Sequence, residues 1–154
     1  MNPNQEYLTK EKHNELQKEL ELLKTVKRKE IAESLEYAKS LGDLSENQEY
    51  QEARDAQAVL EDRISHLENV LKKATIVSTS SSGKVSVGSV VTVEKEGGSS
   101  RTFTIVGSEE ADATTGKISM KSPLGAATLG KSKGESFSFE TPSGIVSMKI
   151  VDID

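Results

Sequence analysis

A chain of 154 residues with net charge −5 and no cysteine has room for one ordinary domain or two small ones, and it excludes disulfides, zinc ribbons and thiol chemistry. Of its 25 acids and 20 bases, 16 and 12 precede position 75, leaving −4 there and −1 beyond. A globally basic nucleic-acid binder is therefore disfavoured, and any contact with nucleic acid has to come from a local patch or be arranged by a protein partner. Three Tyr and three Phe are too few for platforms that stack single-stranded bases. The start is polar, unlike a signal peptide, and no run approaches the roughly 18 apolar residues of a membrane span. A soluble cytoplasmic protein without membrane contact is expected.

Composition changes abruptly near Ala74. Glu, Lys, Leu and Gln dominate up to Ile76, and Gly, Ser, Thr and Val dominate after it. The expected class is α+β: a helical domain over 1–76, a linker over 77–83 and a β-rich domain over 84–154.

From about Thr9 to Lys39 there is no Gly or Pro. Leu16, Leu20, Leu23, Ile31, Leu35 and Ala38 recur mostly at steps of three and four, which predicts one long amphipathic helix with Thr9 as an imperfect cap. The step from Leu23 to Ile31 is eight residues, so the stripe shifts phase around Lys24–Lys29 instead of keeping a heptad. A second run, Tyr50, Ala53, Gln57, Leu60, Ile64, Leu67, Leu71 and Ala74, predicts a coiled-coil seam. Between the runs, Gly42 suits the left-handed residue past a helix end. So short a connection, with its tip at about 41–47, forces the helices antiparallel. The predicted hairpin is roughly 40 to 45 Å long at about 1.5 Å per residue.

A Ser-rich linker, Ser78-Thr79 to Ser82-Gly83, follows. Val87–Val93, Arg101–Val106, Ile118–Met120, Ser136–Glu140 and Ile145–Val151 read as strands from their Val, Ile and Phe content. Thr141-Pro142-Ser143-Gly144 turns the last two into a hairpin. Ser122 before Pro123 starts a short helix and Gly130 ends it.

Chemistry is concentrated at the tip, where two readings stay open. Asp43 with Glu46, or Ser45 with Gln48, could simply form a capping box, and acids in a first turn favour the helix dipole. Alternatively, the two carboxylates serve a metal. They are too few for a tight independent site, because Mg²⁺ is held by one or two carboxylates together with waters and substrate phosphates. They suffice to complete a site that another protein provides, in two-metal phosphodiester hydrolysis. Lys24, Lys27, Arg28 and Lys29 form a denser basic cluster further from the tip, facing a ligand or marking the phase shift. His13 and His66 lie far apart, and no nucleophile–base pair is readable.

The stretch Leu41-Gly42-Asp43-Leu44-Ser45-Glu46-Asn47-Gln48-Glu49-Tyr50-Gln51-Glu52-Ala53-Arg54-Asp55-Ala56-Gln57 resembles the hairpin tip of the GreA/GreB transcript cleavage factors. Leu8-Thr9, Val26-Lys27-Arg28-Lys29-Glu30-Ile31 and Ser122-Pro123-Leu124-Gly125-Ala126-Ala127-Thr128-Leu129-Gly130-Lys131 resemble the same family, so the likeness spans nearly the whole chain. It implies an antiparallel coiled-coil hairpin that enters the secondary channel of bacterial RNA polymerase and stimulates the backtracked enzyme to cut its own transcript. It also implies a small FKBP-like β-rich domain that docks near the channel mouth. By the resemblance, Asp43 helps hold a weakly bound Mg²⁺ shared with the polymerase, and Glu46 positions or activates the attacking water. Lys39 and Arg54 contact the extruded RNA 3′ segment, and Asn47 and Tyr50 support the tip. The protein is then no enzyme itself, and is a monomer when free. Prolyl isomerase activity is not expected, since three Phe without Trp or Tyr in this half cannot line an aromatic pocket. Two rivals remain: an inhibitor of the same fold that blocks the channel without promoting cleavage, and a coiled-coil interaction module whose tip acids merely cap.

Overall fold

The computed structural model describes residues 2, 5–43, 45–78 and 83–154; Leu44 of the expected tip and residues 79–82 of the expected linker lie outside these. The chain divides into two compact units, Asn14–Lys73 and a second formed by Met1–His13 with Ala74–Asp154.

The helical unit begins as the sequence predicts. The Thr9 hydroxyl accepts from the Lys12 amide at 3.2 Å, capping a helix that runs through α1 (Lys10–Leu22), a π turn (Leu23–Lys27) and α2 (Arg28–Ser40). The π turn is the structural form of the phase shift. Its Arg28 amide reaches back five residues to the Leu23 carbonyl, taking up the extra residue in the eight-residue step. Leu16 and Ala38 are buried, and Leu20, Leu23, Ile31 and Leu35 are partly so, so the stripe stays on one face across the irregularity. After the connection, α3 (Gln48–Lys73) buries Ala53, Leu60, Ile64, Leu67 and Val70. Its 26 residues make it about 39 Å long. Gln57 is exposed, because its amide can stay hydrated while the neighbouring Leu60 and Ile64 fill the seam. Each well-buried Leu or Ile contributes about 1.5–3 kcal/mol.

With one seam and no second layer, the hairpin is also laced by charge. Arg28 donates from Nε and Nη2 to the two carboxylate oxygens of Glu61, both at 2.8 Å. Arg63 does the same to Glu19 at 2.8 and 3.0 Å. Lys24 pairs with Glu68, and Lys27 with Glu30 at 3.2 Å. Most of the basic cluster of the first helix is therefore engaged with acids of the hairpin itself.

The second unit contains two sheets. β1 (Tyr7–Thr9) and β2 (Thr75–Val77) pair in parallel, Tyr7 opposite Thr75. These strands were not foreseen, since three residues are too few to show alternation. The larger sheet has β3 (Val90–Lys95), β4 (Ser100–Val106), β5 (Lys117–Ser119), β6 (Ser136–Thr141) and β7 (Gly144–Ile153), in the order β5-β4-β3-β7-β6. All neighbours are antiparallel except β4 and β5. The helix α4 (Pro123–Thr128) has Ser122 as its cap, accepting from the Gly125 amide at 3.1 Å. Val87, Val91, Val93, Phe103, Ile105, Leu124, Phe137 and Ile150 form the core, with Tyr7 of β1 among them. Phe103 and Phe137 are consumed by this packing, and Phe139 lies against its edge.

β1 is seated on this unit closely. A Cβ at Gly107 would lie 1.8 Å from the Tyr7 carbonyl oxygen. The Thr9 hydroxyl donates to Glu110 Oε2 at 3.1 Å, and Lys121 pairs with Glu6. We expect Gly107→Ala to destabilise the β-rich unit by about 2 kcal/mol or more, since backbone cannot yield as a flexible side chain does; urea unfolding followed by circular dichroism reads this directly. A second expectation concerns pH. The hydrogen bond from Arg28 holds the Glu61 carboxyl below the usual carboxylate range, so the pair favours the folded hairpin above that range. The contribution disappears as pH falls through the lowered value. Helix melting curves of the wild type and Arg28→Met should differ at neutral pH and converge as acid protonates the Glu61 carboxyl, with the difference small and weakened by salt because both side chains are exposed.

Candidate functional site at the hairpin end

Helix α2 ends at Ser40, with Leu41 as its cap. The Leu41 amide donates to the Ala38 carbonyl at 3.2 Å, and Gly42 then takes a φ of 128° that only glycine adopts without strain. Asp43 follows, exposed, with its Oδ1 accepting from the Ser45 amide at 3.1 Å and from the Ser45 hydroxyl at 3.0 Å. This is a local turn around an Asp side chain, and Oδ1 is thereby engaged.

The cap of α3 is neither Asp43 nor Ser45. It is Asn47, whose Oδ1 accepts from the Tyr50 amide at 3.1 Å. The chain must complete its Asp43–Ser45 turn before helix begins, which moves the start to Gln48 and leaves both foreseen capping boxes unmade. Asn47 has a second bond: its Nδ2 donates to the Ala38 carbonyl at 2.5 Å. One amide thus joins the end of α2 to the beginning of α3.

Glu46 is exposed, and among the described residues its carboxylate has no hydrogen-bond or ion-pair partner. It shares an open depression with Leu41, Asp43, Asn47, Gln48, Glu49 and Glu52, in which Gln48 donates to Glu52 at 3.1 Å. Asp43 and Glu46 are therefore brought to one side of the tip, in a strongly acidic hollow. Among the described residues no group of three His, Cys, Asp or Glu side chains could hold a metal ion.

The cations of the tip lie outside this hollow. Lys39 is exposed on the last turn of α2. Arg54, exposed on α3, donates from Nη1 to the Tyr50 hydroxyl at 3.2 Å, with its guanidinium carbon 5.9 Å from the Tyr50 ring centroid. The ring restricts the guanidinium while leaving most of its donors open. Sequence reasoning missed the Ala38 carbonyl and Ser45 as parts of the site. Backbone carbonyls have no sequence signature, and the only signal for Ala38 was a small residue in the seam nearest the tip.

A two-helix hairpin with exposed carboxylates at its end, joined in sequence to a small β-rich unit, defines a two-unit α+β class of protein. The chain belongs to the GreA/GreB family of transcription elongation factors. Residues 6–76 match the family's N-terminal domain and residues 80–154 its C-terminal domain. Among relatives, the chain is 47% identical over 150 residues to transcription elongation factor GreA of Chloroflexus aurantiacus, covering 96% of both chains. It is 45% identical to that of Geobacillus kaustophilus, covering 99% of this chain and 98% of the other. Among solved structures, GreA factor homolog 1 of Thermus thermophilus is 30% identical, with 98% of this chain and 99% of that one covered and a TM-score of 0.43. No helix among the described residues is long and apolar enough to cross a membrane.

The division of labour at the tip predicts a contrast in stability. Asn47→Ala should destabilise the hairpin by about 0.5–2 kcal/mol, the usual effect of a lost cap. Asp43→Ala, at an exposed turn, should stay within about 0.5 kcal/mol of the wild type. Thermal unfolding of the two variants checks both.

Proposed function

We propose that the hairpin end enters the secondary channel of bacterial RNA polymerase and stimulates the backtracked enzyme to cleave its nascent RNA, rescuing arrested complexes. The carrying observation is the cap: because Asn47 caps α3, Asp43 and Glu46 are not needed for helix stability and stand open to a partner. Family membership supports the same reading, since GreA factors act with RNA polymerase. The chain does not perform the cut itself. Two carboxylates without a third metal ligand complete a site and do not constitute one, which makes the protein an accessory acting in trans.

The residues suit a shared Mg²⁺. Asp43 offers Oδ2, since Oδ1 is engaged by Ser45, and the polymerase and the RNA backbone would supply the remaining ligands. Such an ion would supply positive charge at the reacting phosphate and would favour hydroxide over water. Glu46 accepts a hydrogen bond from the attacking water and holds it in line, and can take its proton as general base. Lys39 and Arg54 attract the phosphates of the displaced RNA 3′ segment, Arg54 with its orientation preset by Tyr50. The net negative charge of the helical half leaves these two cations as a local device, so RNA contact depends on the polymerase bringing the strand to them.

In a purified backtracked complex with Mg²⁺, the protein should shorten nascent RNA, and it should leave free RNA intact. Glu46→Ala should lower stimulated cleavage about a hundredfold or more, and Asp43→Ala should raise the Mg²⁺ concentration needed, with polymerase affinity retained in both. Inhibition of nucleotide addition without shortening would favour a channel blocker. A stable dimer without affinity for polymerase would favour a coiled-coil interaction module.

A further inference from the structure

We propose that Asn47 is a positioning residue for the tip acids, tying the end of α2 to the start of α3 so that Glu46 and Asp43 are presented in one fixed place. The inference rests on the cleavage reading above and deepens it. Capping alone needs only an acceptor, which Ser or Asp supplies as well as Asn. Asn adds a donor, and here that donor goes to the Ala38 carbonyl nine residues back, at 2.5 Å. Ala38 is 1% exposed, so its carbonyl sits on the buried seam and makes a fixed anchor. The carbonyl already accepts from the Leu41 amide, and the amide of Asn47 takes its second lone pair, satisfying an acceptor that a helix end otherwise leaves open.

The consequence is a closed loop. One side chain joins Ala38 to Asn47, and both acids lie between these two residues in the chain, Glu46 directly beside the tie and Asp43 further pinned by Ser45. A two-helix finger has no other layer to hold its end together, so without the tie the helix ends can part and the acids wander. Misplacement of reacting groups by about 1 Å can lower a rate by about a hundredfold.

Asn47→Ser separates the two roles, for it keeps the cap and cannot reach Ala38. Asn47→Asp also keeps the cap, but it sets a carboxylate with no donor against the carbonyl. Both should match the wild type in helix content and polymerase affinity, with melting lowered only as far as the loss of one hydrogen bond explains. At saturating factor, cleavage of a backtracked complex should fall about tenfold to a hundredfold. In the free protein, amide hydrogen exchange at Gly42 and Ser45, whose amides donate to the Lys39 carbonyl and Asp43 Oδ1, should quicken while α3 beyond Ala53 is unchanged. Wild-type cleavage or unchanged exchange in the serine variant overturns the proposal, as does a loss of helix or of affinity that accounts for the lost activity. If the wild-type protein itself stimulates no cleavage, the functional reading fails instead, and the exchange rates decide the tie by themselves.

Discussion

A hairpin of two helices buries a single seam, and every feature of the helical unit answers to that constraint. A globular domain hides each element against a second layer, whereas here half of every helix must face water whatever its sequence. The seam is correspondingly strict, with Leu60, Ile64 and Leu67 on α3 and Leu16 and Ala38 at the two ends of the first helix. What the seam cannot supply comes from paired forks across it, Arg28 with Glu61 and Arg63 with Glu19. Arginine serves here because its planar donors match a carboxylate at two points, which fixes register as a single lysine contact does not. At the tip, where small Ala38 and Ala53 replace large seam residues, the Asn47 amide takes over.

How much of this was legible in the chain depended on whether the signal was periodic. The two helices, their antiparallel arrangement and the five-strand sheet follow from apolar spacing and turn residues, and the π turn was visible as an eight-residue step between Leu23 and Ile31. The strands Tyr7–Thr9 and Thr75–Val77 left no such trace. They are held by the close approach of Tyr7 to Gly107 and by pairing with each other, both of which join residues distant in sequence.

The tip was legible as chemistry before it was legible as geometry. Asp43 and Glu46 stood out as acids at the end of a finger, yet capping residues look the same in sequence. One hydrogen bond, from the Tyr50 amide to Asn47, assigns the cap of α3 to neither acid. Lys24 and Arg28 could in sequence face a ligand or mark the phase shift; they are engaged with Glu68 and Glu61, acids on α3 whose place opposite them is invisible until the register of the two helices is known.

The parallel pair β1–β2 gives the hairpin a particular place in the chain's topology. One strand leads directly into α1 and the other follows α3, so everything from Lys10 to Ala74 is an excursion that leaves and re-enters the same two-stranded ribbon. An excursion of this kind is free to change length without rewiring what it springs from. Matched segments added to or removed from both helices, in whole repeats of the seam, would alter how far the acids reach while leaving the ribbon and the β core as they are. Reach and attachment are thus separately adjustable properties.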